Sequence, residues 1–381
     1  MERWRRYGDK TLNNVMMCNA AKANLDLRRP DVYRKKQIRH HYIRHPFYIC
    51  LLQKFLIIQT AFIGDVVLAT GIIEKLHTYF PGAQIDFLLR KGNEGLLANH
   101  PYLREVLVWD KREGKLKDLR RLLHIIRNNK YDKVINVQRF TATGILTAFS
   151  LAAEKIGFDK NPLGYLFTTK VKHVISASKQ PKHEIERNND LIAHFTDAVV
   201  FKPRLYPSGN DFTIVQTYKQ APYICIAPSS VWFTKQYPPD KWISFIKQVP
   251  SQYSIYLLGA PSDKILCDDI IKACAGSNIT NLCGKLNFLQ SAALMKDARM
   301  NYVNDSAPMH FASSVNAPVT AVYCSTLPSF GFGPVSDASF IVETKEPLAC
   351  RPCGLHGRKA CPLGHFKCAY TIRDEQLLKT M

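Results

Sequence analysis

A strand, a tight turn and a helix follow one another in KFLIIQTAFIGDVVLAT, residues 54–70. The apolar run 55–58 predicts a buried strand, and the helix after the turn carries Gly64 and Asp65 in its first turn. Such a unit opens nucleotide-binding α/β domains and puts its turn at the carboxyl edge of a parallel sheet. We therefore predict that Asp65 faces a ligand.

Asp65 has two possible uses at the start of a helix. The helix dipole and the unpaired N–H groups of the first turn hold a carboxylate ionised at neutral pH, so Asp65 can accept a proton as a general base. The same position also suits an acid that only caps the helix. The motifs further along the chain favour the base.

The length and the net charge of the chain limit the class of protein that it can be. A chain of 381 residues with 46% hydrophobic residues is long enough for two domains with proper cores. Its net charge of +21 indicates negatively charged partners, such as phosphorylated sugars, nucleotides or an anionic lipid surface. Unspecific solubility charge is the alternative.

The N-terminal stretch, residues 1–53, is strongly basic and has no sustained apolar period. It reads as a disordered extension, either a real arm or the product of a start codon placed too early. No apolar run of about 18 residues occurs anywhere, so the sequence predicts no transmembrane helix and a cytoplasmic protein.

Strand-like and helix-like segments alternate twice, which predicts an α/β protein with two Rossmann-like domains, 54–205 and 206–345, and a Cys-rich C-terminal segment, 346–381. Strands are predicted at 55–58, 84–89, 105–109, 133–137, 223–227, 254–258, 300–304 and 318–323, and helices at 65–79, 116–128, 143–153, 239–247, 262–274, 289–296 and 309–314.

The segment YVNDSAPMHFASS, residues 302–314, predicts a second strand–turn–helix unit. Asp305 ends the strand, Ser306 is a natural N-cap, and His310 follows inside the helix. Free N–H groups at such a helix start bind anions, so a diphosphate can sit there. The alternative is a capped helix with a satisfied His310.

Two more loops follow strands of the second series. In PSSVWFTKQYP, Ser229 and Ser230 offer hydroxyls and Lys235 an ammonium for phosphate oxygens. In LLGAPSD, Asp263 is placed to read a ribose hydroxyl. A lone lysine in a loop is usually just solvated.

The nicotinamide GxGxxG and the P-loop GxxxxGK[ST] fingerprints are missing, which disfavours a dehydrogenase or an ATPase and leaves nucleotide-sugar transfer.

The motifs IGDVVLAT, RKGNEGLL, HEIERN, the PSS…K loop and NDSAPMH resemble, in this order, the ADP-heptose:lipopolysaccharide heptosyltransferases. These are inverting glycosyltransferases with two facing Rossmann-like domains, the GT-B type, whose active site lies in the interdomain cleft. The resemblance spans residues 54–381. It leaves the basic N-terminal stretch outside the family pattern and does not fix the donor sugar.

The resemblance implies the roles of the site residues. Asp65 would be the general base of a single displacement that inverts the anomeric configuration. ADP-heptose would be the donor, with other nucleotide sugars possible, and no cofactor would be needed for catalysis. The donor-binding residues would be Gly64, Ser229, Ser230, Lys235, Asp263, Asp305, Ser306 and His310.

Acceptor recognition is predicted for the first domain. Cationic side chains at its strand ends or in its loops can hold phosphate or acidic sugar groups of a lipopolysaccharide core or another lipid-linked sugar. For each of them a solvated surface role is the alternative. The candidates are Arg90, Lys91, Arg139, His183 and Arg187.

Four of the eleven cysteines, Cys350, Cys353, Cys361 and Cys368, fall in one short run. Four thiolates at short spacing in a reducing cytosol fit a structural zinc better than disulfides. The alternative is a Cys-rich loop packed near the cleft, because the gaps of seven and six residues are longer than those of paired CxxC knuckles.

The leading hypothesis is a glycosyltransferase that works on a lipid-linked acceptor at the cytoplasmic surface of the inner membrane. A nucleotide-sugar epimerase or dehydrogenase is one alternative, although it would need a nicotinamide fingerprint. A non-enzymatic protein that binds anionic ligands is the other. No nucleic-acid-binding pattern occurs, so no nucleic-acid partner is expected.

Overall fold

The computed structural model describes residues 53–112, 114–175 and 181–381, and two six-stranded parallel sheets organise them. The predicted extension 1–53 lies outside the described residues except for its last position. Strands are β1 Lys54–Ile58, β2 Gln84–Arg90, β3 Glu105–Trp109, β4 Lys133–Asn136, β5 Glu154–Phe158, β6 Thr169–Val171, β7 Tyr223–Ala227, β8 Ser254–Leu257, β9 Ile279–Asn281, β10 Met300–Asn304, β11 Val319–Tyr323 and β12 Ser339–Glu343.

Helices cross between the strands. They are α1 Ile63–Tyr79, α2 Lys115–Asn129, α3 Thr141–Ala148, α4 Glu184–Asp190, α5 Gly209–Val215, α6 Pro239–Ile246, α7 Lys264–Ala273, α8 Phe288–Lys296, α9 Ala307–Ser314, α10 Lys367–Tyr370 and α11 Asp374–Leu378. In the part of the chain that the structure describes, no helix combines the length and the apolar character needed to cross a bilayer.

Both sheets have the same strand order. The first runs β3-β2-β1-β4-β5-β6 and the second β12-β11-β10-β7-β8-β9. Each order reverses between the first and the fourth strand of its sheet, and ligands of open α/β sheets bind in the crevice at that reversal. The fold therefore predicts two binding edges, one after β1 and β4 and the other after β7 and β10.

The middle of the first sheet shows why the opening segment forms a strand. Ile57 of β1 pairs in register with Phe87 of β2 on one side and Ile135 of β4 on the other. All three side chains are fully buried, and a parallel strand covered on both faces needs such a continuous apolar run. This burial fixes the carboxyl end of β1, and with it the start of α1.

The structure corrects the predicted elements at several points. The helix predicted at 143–153 ends at Ala148, because the Ser150 hydroxyl donates to the Thr147 carbonyl and Leu151 takes a left-handed φ of 64°. The sequence-based prediction missed four strands and four helices: β5, β6, β9, β12, α4, α5, α10 and α11.

The Cys-rich C-terminal segment packs back onto the second sheet. Ile372 and Leu377 are fully buried in its core, and the Tyr302 hydroxyl donates to the Leu377 carbonyl at 3.3 Å. The chain end is also fastened, since Arg299 Nη2 donates to the Met381 carbonyl at 2.8 Å. The last helices thus share one hydrophobic core with the second sheet.

Candidate active site

Loops from both binding edges meet where α1 of the first domain packs against α9 of the second. A Cβ atom added to Gly64 would lie 2.7 Å from Cδ2 of His310, so only a glycine allows this close approach. The predicted donor-binding residue Gly64 therefore has a packing role that the structure shows directly. The N-termini of two helices, one from each domain, are brought to the same place.

Asp65 lies in the first turn of α1 and is half-buried. Its Oδ2 accepts a hydrogen bond from the Phe62 N–H at 3.1 Å, so the side chain does cap the helix. Burial first, and the charge of Glu184 second, raise its pKa to about 6, against the helix-start N–H groups and Lys235, which lower it. At neutral pH the group is ionised and is a stronger base than an ordinary aspartate.

Lys235 reaches the same region from the second domain. It ends the short 3₁₀ helix Phe233–Lys235 after β7, and its Nζ lies 2.8 Å from Oδ2 of Asp305. The Thr326 hydroxyl donates to the same oxygen at 2.7 Å. An ammonium has three donors, so Lys235 can hold Asp305 and still contact a phosphate oxygen. It also acts electrostatically on Asp65 and His310.

The start of α9 differs from its prediction. Ser306 stands at the N-cap, but its hydroxyl donates to the Asn304 carbonyl at 3.3 Å and makes no capping bond to the first turn. His310 is buried, and its Nδ1 has no hydrogen-bond partner among the described residues. Burial, with help from His183 and Lys235, lowers the pKa of His310 to about 3, so the ring is neutral. The alternative, in which Ser306 caps the helix and both ring nitrogens of His310 have hydrogen-bond partners, does not describe this helix start.

Asn304, the last residue of β10, organises the loop after β7. Its Oδ1 accepts from the Tyr237 N–H at 2.9 Å and its Nδ2 donates to the Pro228 carbonyl at 2.8 Å. Next to this loop, the Ser229 hydroxyl donates to Oδ1 of Asp263 at 2.8 Å. Ser230 is half-buried, and its carbonyl accepts from Gln236 Nε2 at 2.6 Å. The structure brings these predicted donor-binding residues together at one edge of the second sheet.

Three predicted acceptor-binding residues lie at the carboxyl edge of the first sheet. Arg90 ends β2 with its guanidinium 5.0 Å from the centroid of the exposed Phe62 ring. Lys91 is exposed and its Nζ lies 2.7 Å from Oδ2 of Asp110. Arg139 is exposed in the loop after β4 and interacts electrostatically with His356 of the Cys-rich segment. Their role in binding stays a prediction.

The other two acceptor candidates are placed differently from the prediction. Arg187 is inside helix α4 and only 2% exposed, and its Nη2 donates to the Phe330 carbonyl of the second domain at 3.2 Å. His183 is the N-cap of α4, and its Nε2 lies 2.9 Å from the Gly333 carbonyl. Both side chains contact the second domain, and Arg187 lies in a helix rather than in a loop or at a strand end. Their role in acceptor binding stays a prediction.

Glu184 is a site residue that sequence reasoning missed. It is 7% exposed, it accepts from Arg187 Nε at 2.7 Å, and its charge acts on Asp65. The motif HEIERN contained it, but a Glu at a helix start next to a His reads as an ordinary first-turn acid. Only the contact with a segment about 120 positions earlier reveals its place.

All four cysteines of the C-terminal run line one cavity of about 220 Å³, together with Thr234 and His365. The nine cysteines in the described ranges are free thiols. Within those ranges no three Cys, His, Asp or Glu side chains stand close enough together to hold a metal ion. Zinc at these thiols stays a prediction.

The Cys-rich segment is attached to the loop of Lys235. The Thr234 N–H donates to the Arg358 carbonyl at 3.1 Å, and the Arg358 N–H donates to the Thr234 hydroxyl at 2.7 Å. A Cβ atom added to Gly357 would lie 2.9 Å from Cγ of Lys235. The segment thus braces the residue that faces Asp65.

Two Rossmann-like domains, with the Asp65 carboxylate at the edge of one sheet and Lys235 and the start of α9 at the edge of the other, are the arrangement of a GT-B glycosyltransferase. The family model "Glycosyltransferase family 9 (heptosyltransferase)" matches residues 119–358, well over half of the chain, and the protein belongs to this family.

Relatives agree with this assignment. Lipopolysaccharide heptosyltransferase 3 of Escherichia coli is 25% identical over 279 residues, which are 70% of this chain and 82% of that protein. The solved family 9 glycosyltransferase of Veillonella parvula DSM 2008 superposes with a TM-score of 0.73 at 19% identity, over 86% of this chain and 95% of its own. ADP-heptose lps heptosyltransferase II of E. coli gives a TM-score of 0.69 at 20% identity, over 86% and 97%.

Proposed function

We propose that this protein transfers a heptose from ADP-heptose to a hydroxyl group of a lipopolysaccharide-core-type acceptor, with inversion at the anomeric carbon. Membership of family 9 and the names of the similar E. coli proteins support the sugar, the donor and the acceptor class. The observation that carries the mechanism is the close packing of α1 against α9 at Gly64 and His310. It brings the helix start that bears Asp65 to the second domain, where Lys235 is held by Asp305.

The reaction is a single displacement. The acceptor oxygen attacks the anomeric carbon as Asp65 removes its proton, and a new C–O bond forms on the face opposite the leaving group. The bond between the anomeric carbon and the diphosphate oxygen breaks, and its electron pair leaves with ADP. A base with a pKa of about 6 is ionised at neutral pH and holds a transferred proton better than an ordinary aspartate does.

The second domain supplies the charge that the departing diphosphate needs. The Lys235 ammonium and the N–H groups at the start of α9 are donors fixed before the substrate arrives. Asp305 holds the lysine in place, and Thr326 in turn donates to Asp305. The neutral His310 ring closes the gap between α1 and α9 without adding a competing charge.

The acceptor is carried, on this proposal, at the cytoplasmic surface of the inner membrane. Phe62 and Phe140 precede α1 and α3 at the carboxyl ends of neighbouring strands, and their side chains are 62% and 59% exposed. The Arg90 guanidinium lies 5.0 Å from the centroid of the Phe62 ring, and Arg139 directly precedes Phe140 in the sequence. Apolar rings among cations suit the surface of an anionic bilayer.

The function is tested by incubating the purified protein with ADP-heptose and a truncated lipopolysaccharide extract. We expect the acceptor to gain the mass of one heptose, ADP to appear in equal amount, and NMR to show the anomeric configuration opposite to that of the donor. UDP-glucose is the control donor and should give no product. A product with the donor's configuration would rule out single displacement, and no product from ADP-heptose would rule out the donor.

The membrane contact is tested separately by co-sedimentation with vesicles of phosphatidylethanolamine and phosphatidylglycerol. Phe140→Ser should weaken vesicle binding several-fold, because it removes exposed apolar area from the carboxyl edge of the first sheet. Val199→Ser, at a position 40% exposed outside the two binding edges, is the matched control and should bind as the wild type does. Equal binding of both variants would contradict this part of the proposal.

A further inference from the structure

The start of α4 is fastened to one short segment of the second domain. Three polar atoms of His183, Glu184 and Arg187 contact the backbone of residues 330–333, and we call this contact the α4 clasp. His183 Nε2 lies 2.9 Å from the Gly333 carbonyl, the Glu184 N–H donates to the Gly331 carbonyl at 2.7 Å, and Arg187 Nη2 donates to the Phe330 carbonyl at 3.2 Å. The clasp therefore forms only while the two domains are docked here.

A buried ion pair lies at the centre of the clasp. Arg187 Nη2 is 2.6 Å from Oε2 of Glu184, and the two residues are 2% and 7% exposed. Arg187 Nη1 donates to the Lys182 carbonyl at 2.6 Å, so the guanidinium is held from several sides. Buried ion pairs stabilise folds no better than apolar residues of the same volume, because desolvation offsets the attraction. Stability alone therefore does not explain this pair.

The partner segment is shaped to accept the pair. Gly331 has a φ of +93°, and a Cβ atom there would lie 2.4 Å from the Lys182 carbonyl oxygen and 2.7 Å from Arg187 Nη1. The Phe332 ring lies under the guanidinium, 5.4 Å from its Cζ. Close backbone approach and a ring against the cation fix where Arg187, and with it the Glu184 carboxylate, can lie.

The charged groups around Asp65 come from three elements. Glu184 faces it from α4, Lys235 faces it from the second domain, and the helix-start N–H groups face it from α1 itself. α1 and α4 pack side by side: Leu68 and Ile72 of α1 line one small cavity with Ile185 of α4, and the buried Lys75 of α1 bonds Oδ1 of Asn189 at 2.7 Å. Of these charged groups only Glu184 is negative, so its charge adds to burial in opposing the ionisation of Asp65.

We propose that Glu184 is a positioning residue for the transfer reaction: the α4 clasp holds its negative charge beside Asp65, so that the base reaches full strength only when the two domains are docked. This inference rests on the proposed function, because it takes Asp65 as the base. It gives domain docking a chemical consequence, since undocking would free Arg187 and Glu184 to turn toward water. A weaker base would then face an open, wet site.

The test is the pH dependence of kcat/KM. The wild type should lose activity on the acidic side near pH 6, where Asp65 becomes protonated. Glu184→Gln removes the like charge and should move this acidic limb to lower pH by about 0.5 to 1 unit. Glu186→Gln is the matched control on the same helix. Gln serves as well as Glu at that capping-box position, and Glu186 is not among the charges that act on Asp65. The acidic limb of the pH profile of Glu186→Gln should therefore lie at the same pH as that of the wild type.

Glu184→Gln leaves Arg187 buried without a counter-charge, and it can fail to fold for that reason. The double variant Glu184→Gln, Arg187→Met removes both charges and should fold. It should also shift the acidic limb to lower pH, by less than the single variant does, because the positive charge of Arg187 is removed together with the carboxylate. A melting temperature that falls while the limb stays at its wild-type pH would mean that the pair is only structural, and the inference would be overturned.

Asp65→Asn separates this inference from the proposed function. If that variant keeps wild-type activity, Asp65 is not the base and the proposed mechanism fails. If Asp65→Asn is inactive while both Glu184 variants keep the acidic limb within about 0.2 unit of the wild type, the mechanism stands and only the role of Glu184 is contradicted.

Discussion

The two sheet edges that meet in this protein are built differently. On the second domain the polar groups are bonded to each other: Lys235 to Asp305, and Ser229 to Asp263. On the first domain the side chains of Lys91 and Arg139 are exposed, and Lys91 pairs with Asp110 at the surface. A bonded edge is preorganised for one ligand, while an open edge can adapt. On the proposed function, the second edge gives the nucleotide a fixed site and the first edge gives the acceptor a more adaptable one.

The first turns of α1 and α9 differ in the charge of the ligand that each would attract. α1 carries a carboxylate in its first turn, whereas α9 carries Ser306, whose hydroxyl turns away from the N–H groups of that turn. A carboxylate satisfies its own helix start and repels a phosphate, while free N–H groups attract one. On the proposed function, a diphosphate is therefore directed to the second domain and the acceptor hydroxyl to Asp65.

Lys235→Met is the strongest test of the bonded edge. Removing one preorganised donor to a developing negative charge costs about a hundredfold or more in rate, so kcat/KM for the donor should fall by at least that factor. Steady-state ADP release measures it. Lys241→Met, on α6 with its Nζ 3.5 Å from Asp374, is the matched control and should change little. Equal activity of the two variants would show that the bonded edge does not bind the diphosphate.

Asp65→Asn should also make the protein more stable at high pH. The folded pKa of about 6 lies above the usual 3.8, so the charged side chain is penalised in the fold. Two pKa units correspond to about 3 kcal/mol, and partial exposure reduces this to about 1–2 kcal/mol.

The sign fixes the pH window of this gain. The variant should exceed the wild type in free energy of unfolding at pH 8, the difference should shrink as the pH falls through about 6, and it should vanish below 3.8. Urea unfolding at three pH values measures it. A constant difference at all pH values would show that the carboxylate is not penalised in the fold.

Arg139→Ala tests the open edge with a smaller effect. One exposed charge-assisted contact contributes about 1 kcal/mol, so the KM for the acceptor should rise about three- to tenfold and the KM for ADP-heptose should stay constant. Lys170→Ala, on the edge strand β6, is the control for net charge. A rise in the donor's KM instead would place Arg139 on the nucleotide side.

The cysteine cavity gives the last and smallest expected effect. We propose that zinc draws the four thiols together, because metal sites of this kind close on binding. About one zinc per chain should then be found in purified protein. Cys361→Ser should lower both zinc content and melting temperature, and kcat/KM for the donor should fall only a few-fold through the bracing of Lys235. Protein without zinc and an unchanged melting temperature of the variant would contradict the site.

Much of the fold could be predicted because the central strands are continuous apolar runs, as in β1 and β7. The missed strands β6 and β9 are three residues long, polar and at sheet edges, so they carry no apolar period. Asp65 follows β1, and Lys235 and Asp305 follow β7 and β10, because loops after parallel strands collect at the carboxyl edge of each sheet. The roles of these residues stay predictions.

The α4 clasp could not be predicted in the same way. The sequence EIERNND reads as an exposed polar helix, yet Glu184, Arg187 and Asn188 are buried. Their burial depends on the Phe330–Gly333 segment, which lies far along the chain and matches them by backbone carbonyls rather than by residue type. Buried polar residues that break a local pattern mark functional seams of this kind.

The most direct measurement compares binding and transfer in Asp65→Asn. If the second domain alone grips the nucleotide and Asp65 alone removes the proton, calorimetry should give an ADP affinity within about twofold of the wild type, while transfer falls about a hundredfold to ten-thousandfold. Transfer at the wild-type rate, or loss of ADP binding together with activity, would contradict this division of work between the two domains.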